Sequence, residues 1–219
     1  MRVIIVNPNT SDAVTALLLR EARLAAADET EVYAVTARSG VSVVRTVADG
    51  QRASDAVVEA LVEAGADMDA GIVGGFTEPG LADARERVEY PLTGLGEASL
   101  GEASRVGDRF AILTADETTV PGIEALVEYH GFAARLASVL STDADLLAVA
   151  GDQRAFDSAF LWLATNAAAR DGADSIVLGG AVFAGMAGRI KHRIPVPVID
   201  PIHAAIRRVE ALVTGPSGR

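Results

Sequence analysis

The chain of 219 residues contains no cysteine. That excludes disulfides, thiolate metal sites and thiol nucleophiles together. Histidine is scarce: His130, His192 and His203 lie apart with no HExxH-like spacing, so no metal site is expected. Long basic runs are missing and the net charge is −11, which disfavours nucleic acid and anionic membrane surfaces as partners. No apolar run approaches the ~20 residues that cross a bilayer. The opening MRVIIVNPNT is too short and too polar for a signal peptide, so a cytoplasmic protein is expected. Aromatic residues are few, yet half of the chain is hydrophobic, much of it Ala and Val. That suffices for the core of one large domain or two small ones.

Short Val/Ile-rich runs alternate with Ala-rich stretches of helical spacing. The runs are RVIIVN (2–7), EVYAVTA (31–37), AGIVGGF (70–76), PLTGL (91–95), RFAILTA (109–115), ARLASVL (134–140), SIVLGGA (175–181) and PVPVID (195–200). Near-continuous apolar strands between helices predict an α/β fold with parallel sheets covered on both faces. Trp162, with Phe156 and Phe160, is expected on a buried helix face. The tail TGPSGR is expected to fray.

The chain also repeats itself. VNPNT (6–10) falls opposite LTADET (113–118), GIVGGF opposite VLGGAV, and YPLTGLGEA (90–98) opposite IPVPVIDPI (194–202), at an offset of about 104 residues. Two similar α/β halves are predicted, residues 1–96 and 97–200, each with about four parallel strands. The C-terminal helix, from about 201, is expected to pack on the first half. Ligands in open α/β sheets sit at the carboxyl ends of the strands. A pseudo-two-fold therefore predicts one cleft, lined by both glycine turns.

The candidate site residues follow from that cleft. Asn7, Asn9 and Thr10 end a strand and precede a helix; they suit either capping or a polar rim for a ligand carboxylate or carbonyl. In GGFTEPGL (74–81), Gly75 allows close backbone approach and Thr77 offers a hydroxyl. Glu78 is either a favourable charge at a helix N-terminus or an acid, base or orienter. Gly180 and Ala181 begin the equivalent turn, a tight joint or an anion-binding nest. Thr114 mirrors Asn7, while Thr118 and Thr119 suit capping. His203, just after VIDP, is a candidate proton carrier. His130 is expected at a helix C-cap.

These motifs, in this order, resemble the aspartate/glutamate/hydantoin racemase superfamily, most closely its hydantoin/allantoin branch. The matching pieces are IIVNPNT, GGFTEPGL, GLGEAS (94–99), RFAILTADETTVPGIE (109–124), SIVLGG (175–180) and PVPVIDP (195–201). The resemblance implies two α/β halves with a site between them, no cofactor, and a small carboxylate or cyclic amide as substrate. It also implies a homo-oligomer. In such racemases one cysteine stands at each glycine turn, and the two thiols exchange protons on opposite faces of the stereocentre. Here those places correspond to Gly75 and Gly180, which move no proton. Three readings follow: carbon-acid chemistry with other groups, Glu78 or His203 among them; a one-sided decarboxylase or ring-opening enzyme; or a protein that binds without turnover.

Overall fold

In the computed structural model, which describes residues 1–215, the chain forms two four-stranded sheets in which every pairing is parallel. The first holds β1 (Arg2–Asn7), β2 (Glu31–Thr36), β3 (Ala70–Val73) and β4 (Leu92–Gly94) in the order β2-β1-β3-β4. The second holds β5 (Phe110–Thr114), β6 (Leu136–Ser141), β7 (Ser175–Leu178) and β8 (Val198–Ile199) in the order β6-β5-β7-β8. The topology is the same in each sheet. The central pairs also match, with Val6 beside Val73 in one and Leu113 beside Leu178 in the other, while β5 and β6 shift register between Phe110 and Ala111. All eight predicted strands are present.

Helices fill the crossovers: α1 (Asp12–Ala25), α2 (Val47–Ala64), α3 (Leu81–Arg85), α4 (Leu95–Val106), α5 (Val120–Tyr129), α6 (Leu146–Gly151), α7 (Gln153–Arg170), α8 (Met186–Ile190) and α9 (Pro201–Thr214). Local chemistry sets their starts. Ser11 caps α1 by accepting from Val14 N–H, and Thr46 with Asp49 forms a capping box on α2. The central strands are buried on both faces, as helices on either side require: Val3, Ile5, Ile72, Ile112, Leu113 and Ile176 are fully buried. One apolar core runs through both halves, joining Ile5 and Ile72 to Phe110 and Ile112. Helix α9 lies against α1, α4, β3 and β4. Residues 216–219 of the predicted frayed tail lie outside the described residues.

The aromatic face predicted on α7 is corrected. Phe160 is fully buried, 4.7 Å from the ring of Phe183, and Phe156 is half-buried, but Trp162 is 66% exposed. Two residues along an α-helix are about 200° apart around its axis, so Phe160 and Trp162 point to opposite sides.

Candidate functional site

The two glycine turns are copies in backbone as well as in sequence. Gly74 N–H donates to Val6 O at 2.8 Å, and Gly179 N–H donates to Leu113 O at 2.7 Å. Each bond ties the turn to the end of the central strand. There is no room for a side chain at either: a Cβ on Gly74 would stand 2.9 Å from Leu18 Cδ1, and one on Gly179 2.6 Å from Ile112 Cγ2. Six residues on, Gly80 (φ 77°) and Gly185 (φ 80°) take the left-handed conformation that glycine permits, and α3 and α8 begin. Helix α3 thus starts at Leu81, and Pro79 belongs to the turn before it.

Between the turns lies a cavity of about 70 Å³. Of the predicted residues, Asn9, Gly75, Thr77, Thr114, Gly180 and Ala181 line it. Both main-chain groups and polar side chains contribute to its lining. Among the described residues, the N–H groups of Gly75, Phe76, Ala181 and Val182 donate no hydrogen bond. The hydroxyls of Thr114 and Thr119, both also lining the cavity, are 2.8 Å apart. Thr119 donates to Asp116 O at 2.7 Å, so Thr114 is the donor of the pair. Thr119 stands at the N-cap of α5, as expected, but its side chain makes no capping bond; Asp116 caps the 3-10 turn Glu117–Thr119 before it, its carboxylate accepting from Thr118 N–H. Asn9 Oδ1 accepts from Asn7 Nδ2 and from Ser11 N–H.

Asn7, Thr10, Glu78 and His203 do not line this cavity. Asn7 is fully buried, and its side-chain N–H₂ donates to Asn9 Oδ1, Ser11 O and Thr15 Oγ1. It braces the strand end rather than facing a ligand. Thr10 is exposed, and its N–H donates to Val41 O.

Glu78 turns away from the cavity. Its backbone is left-handed (φ 57°), and its carboxylate accepts from Glu97 N–H through Oε1 and meets His130 Nε2 through Oε2 at 2.9 Å. The expected helix N-terminus is therefore real, but it belongs to α4 rather than to α3. Gly94, the N-cap of α4, has no side chain because Glu78 occupies that place. His130 is the C-cap of α5, as predicted, with a ring partner that sequence reasoning missed. The Glu97 carboxylate binds Arg85 at 2.6 Å and Arg208 at 2.7 Å. Burial alone would raise its pKa, but Arg208 and Arg85 outweigh burial and hold it below the ordinary value.

His203, half-buried, lies in a second cluster. Its Nε2 is 3.9 Å from Glu21 Oε2 on α1. Asp200, 3% exposed, accepts from Gly185 N–H at 2.7 Å, so the cluster braces the second turn from behind. Burial pushes the Asp200 carboxyl up, and the nearby His203 only partly offsets that. Among the described residues no three His, Asp or Glu side chains are placed to hold a metal ion.

Arg45 was not foreseen. It follows Val43 and Val44 in the segment between β2 and α2, and all three line the cavity. Its guanidinium reaches the other half, where Nε meets Asp116 Oδ2 and Nη2 meets Asp145 Oδ2, each at 2.8 Å. It is the cavity's one ionisable lining residue among those described. No local pattern marks it, because both of its partners lie far away in the sequence.

Two equivalent α/β halves closing glycine turns over one cavity define a class of proteins, and comparison identifies it. Residues 3–209 match the family described as Asp/Glu/Hydantoin racemase. The chain is 32% identical to the hydantoin racemase of Paenarthrobacter aurescens over 215 residues, covering 97% of this chain and 91% of that one. It superimposes on the allantoin racemase of Klebsiella pneumoniae with a TM-score of 0.93 at 32% identity, covering 97% and 87%. The allantoin racemase of Pseudomonas fluorescens gives 0.93 at 30% identity, covering 97% and 91%. The chain belongs to the Asp/Glu/hydantoin racemase family and is of the hydantoin/allantoin type. As in the sequence, no cysteine stands at either glycine turn.

Proposed function

We propose that this protein is a cofactor-independent enzyme that performs one-sided carbon-acid chemistry on a small carboxylate or a hydantoin-like cyclic amide, without thiols. The observation that carries the reading is the pair of matched glycine turns on one cavity, lined by Gly75, Phe76, Ala181 and Val182, whose N–H groups donate no hydrogen bond among the described residues. Such groups stabilise an enolate-like anion without reorganising. Racemisation needs a proton carrier on each face. Glu78 and His203, the carriers considered from sequence, stand outside the cavity, so the returning proton is assigned to water. Decarboxylation fits, since CO₂ leaves and the resulting carbanion takes its proton from water; ring opening fits as hydrolysis, in which water adds across the ring C–N bond and the N–H groups hold the tetrahedral oxyanion. A second reading, binding without turnover, is favoured by Arg45, which is already engaged by two aspartates. We further propose a cytoplasmic location and a homo-oligomer, for which the exposed Leu24 and Val106 offer apolar surface away from the cavity; sedimentation measures the assembly.

Proton NMR in D₂O, with the protein added to hydantoins, allantoin, amino acids, malonates and maleate, tests the reading. A decarboxylated or ring-opened product is expected. Line broadening of one compound with no product favours the binding protein. Deuterium uptake at a stereocentre, with racemisation, overturns the one-sided chemistry.

A further inference from the structure

A second concavity adjoins the cavity. It is a groove of about 490 Å³ between α2 and the first glycine turn on one side and α5 on the other. Its walls include Val47, Pro79, Leu81, Ala125 and Tyr129, and Tyr129 is 73% exposed. Arg45 and Thr77 line both spaces. Arg45 and Thr77 therefore stand at the boundary that the wider groove and the small cavity share.

The backbone of the segment that carries Arg45 is held apart from the ion pairs of its side chain. The Arg45 backbone N–H is held by Asp49 Oδ2 at 3.1 Å, at the N-terminus of α2. The other end of the segment is pinned where Val41 O accepts from Thr10 N–H. Its two carboxylate partners are fixed independently of it. Asp116 Oδ1 accepts from Thr118 N–H, and Asp145 Oδ1 accepts from Ala148 N–H. The guanidinium thus links two carboxylates that each keep a backbone N–H partner without it. The Asp145 carboxylate is 55% exposed, so that bond is open to water and screened by salt.

We propose that the Arg45 side chain is the gate between the groove and the cavity, closed by its ion pairs to Asp116 and Asp145 and opened when they break. Small molecules reach the glycine turns from the groove, past Thr77. The gate operates whatever reaction the cavity performs.

The absence of cysteine supplies a test that needs no substrate. Ala181→Cys places a single thiol on the cavity wall, and Ala125→Cys places one on the groove wall. Each is alkylated with iodoacetamide, alone and combined with Arg45→Met. Two partly screened ion pairs hold the gate by roughly a factor of ten. The cavity thiol should therefore react about tenfold faster with Arg45→Met, and faster in high salt when Arg45 is present. The groove thiol should respond to neither. Asp145→Asn, which leaves Arg45 in place, should give an intermediate rate should the Met variant not fold. A cavity thiol that reacts at the same rate with and without Arg45, or as fast as the groove thiol in the parent, overturns the gate.

Discussion

Glu78 Oε2 and His130 Nε2 meet at 2.9 Å, with side chains only 4% and 12% exposed, and so join the first glycine turn to a helix of the other half. Glu78 reaches this position from a left-handed backbone, which costs a non-glycine residue roughly 1–2 kcal/mol. The two bonds to its carboxylate offset that cost. Removing one partner of a buried hydrogen bond leaves the other group unsatisfied, at about 1–3 kcal/mol. His130→Ala should fall in or near that range in urea unfolding, while Glu78→Gln, which keeps an acceptor for Glu97 N–H, should cost less. Equal, small effects would show that the pair does not brace the halves.

Two carboxylates make opposite contributions to pH dependence. Asp200 has a folded pKa raised above 3.8 by burial, so the folded state binds the extra proton. Its contribution is best at low pH and is lost as pH rises from about 4 through the raised pKa. Glu97 has a folded pKa held below 4.5, so its contribution is present above that value and lost as pH falls. Asp200→Asn should remove the loss on the alkaline side, and Glu97→Gln should remove the loss on the acid side. Melting temperatures across pH 3 to 8, read against the about 4 where such carboxyls ordinarily titrate, measure both.

Placing a thiol at the first turn has a steric cost. A Cβ on Gly75 would stand 2.6 Å from Pro8 Cγ. Overpacking of this kind costs about 1–3 kcal/mol. Gly75→Ala should show that loss in thermal unfolding. Gly75→Cys with Gly180→Cys should gain deuterium exchange at the stereocentre of a hydantoin, if the thiols are all that separates this cavity from a racemase. No exchange from a folded double variant would mean that the cavity has changed in other ways.

Phe160 and Trp162 offer a contrast on one helix. Phe160 is fully buried against Phe183, and its truncation to Ala should cost about 3–5 kcal/mol. Trp162 is exposed, and Trp162→Ala should stay within about 0.5 kcal/mol. Chemical denaturation separates them. A large loss at Trp162 would mean that another surface covers it in solution.

The sequence by itself determined the layers and the repeat. Alternation of short Val/Ile runs with helical spacing is a local signal, and a parallel sheet follows from it whatever the distant contacts are. The paired glycines were legible for the same reason, since GG after a buried strand marks a close turn in either half. Tertiary structure decided where the side chains of those turns went. Glu78 follows a cavity residue in sequence, yet a left-handed backbone sends its carboxylate to α4 and His130. His203 sits beside a strand end, yet it packs near Glu21. Arg45 carried no local mark, because its meaning depends on Asp116 and Asp145, which only folding brings within 2.8 Å. Periodicity fixes which face of an element is buried; the partner that a polar group finds there is set by packing between segments far apart in the chain.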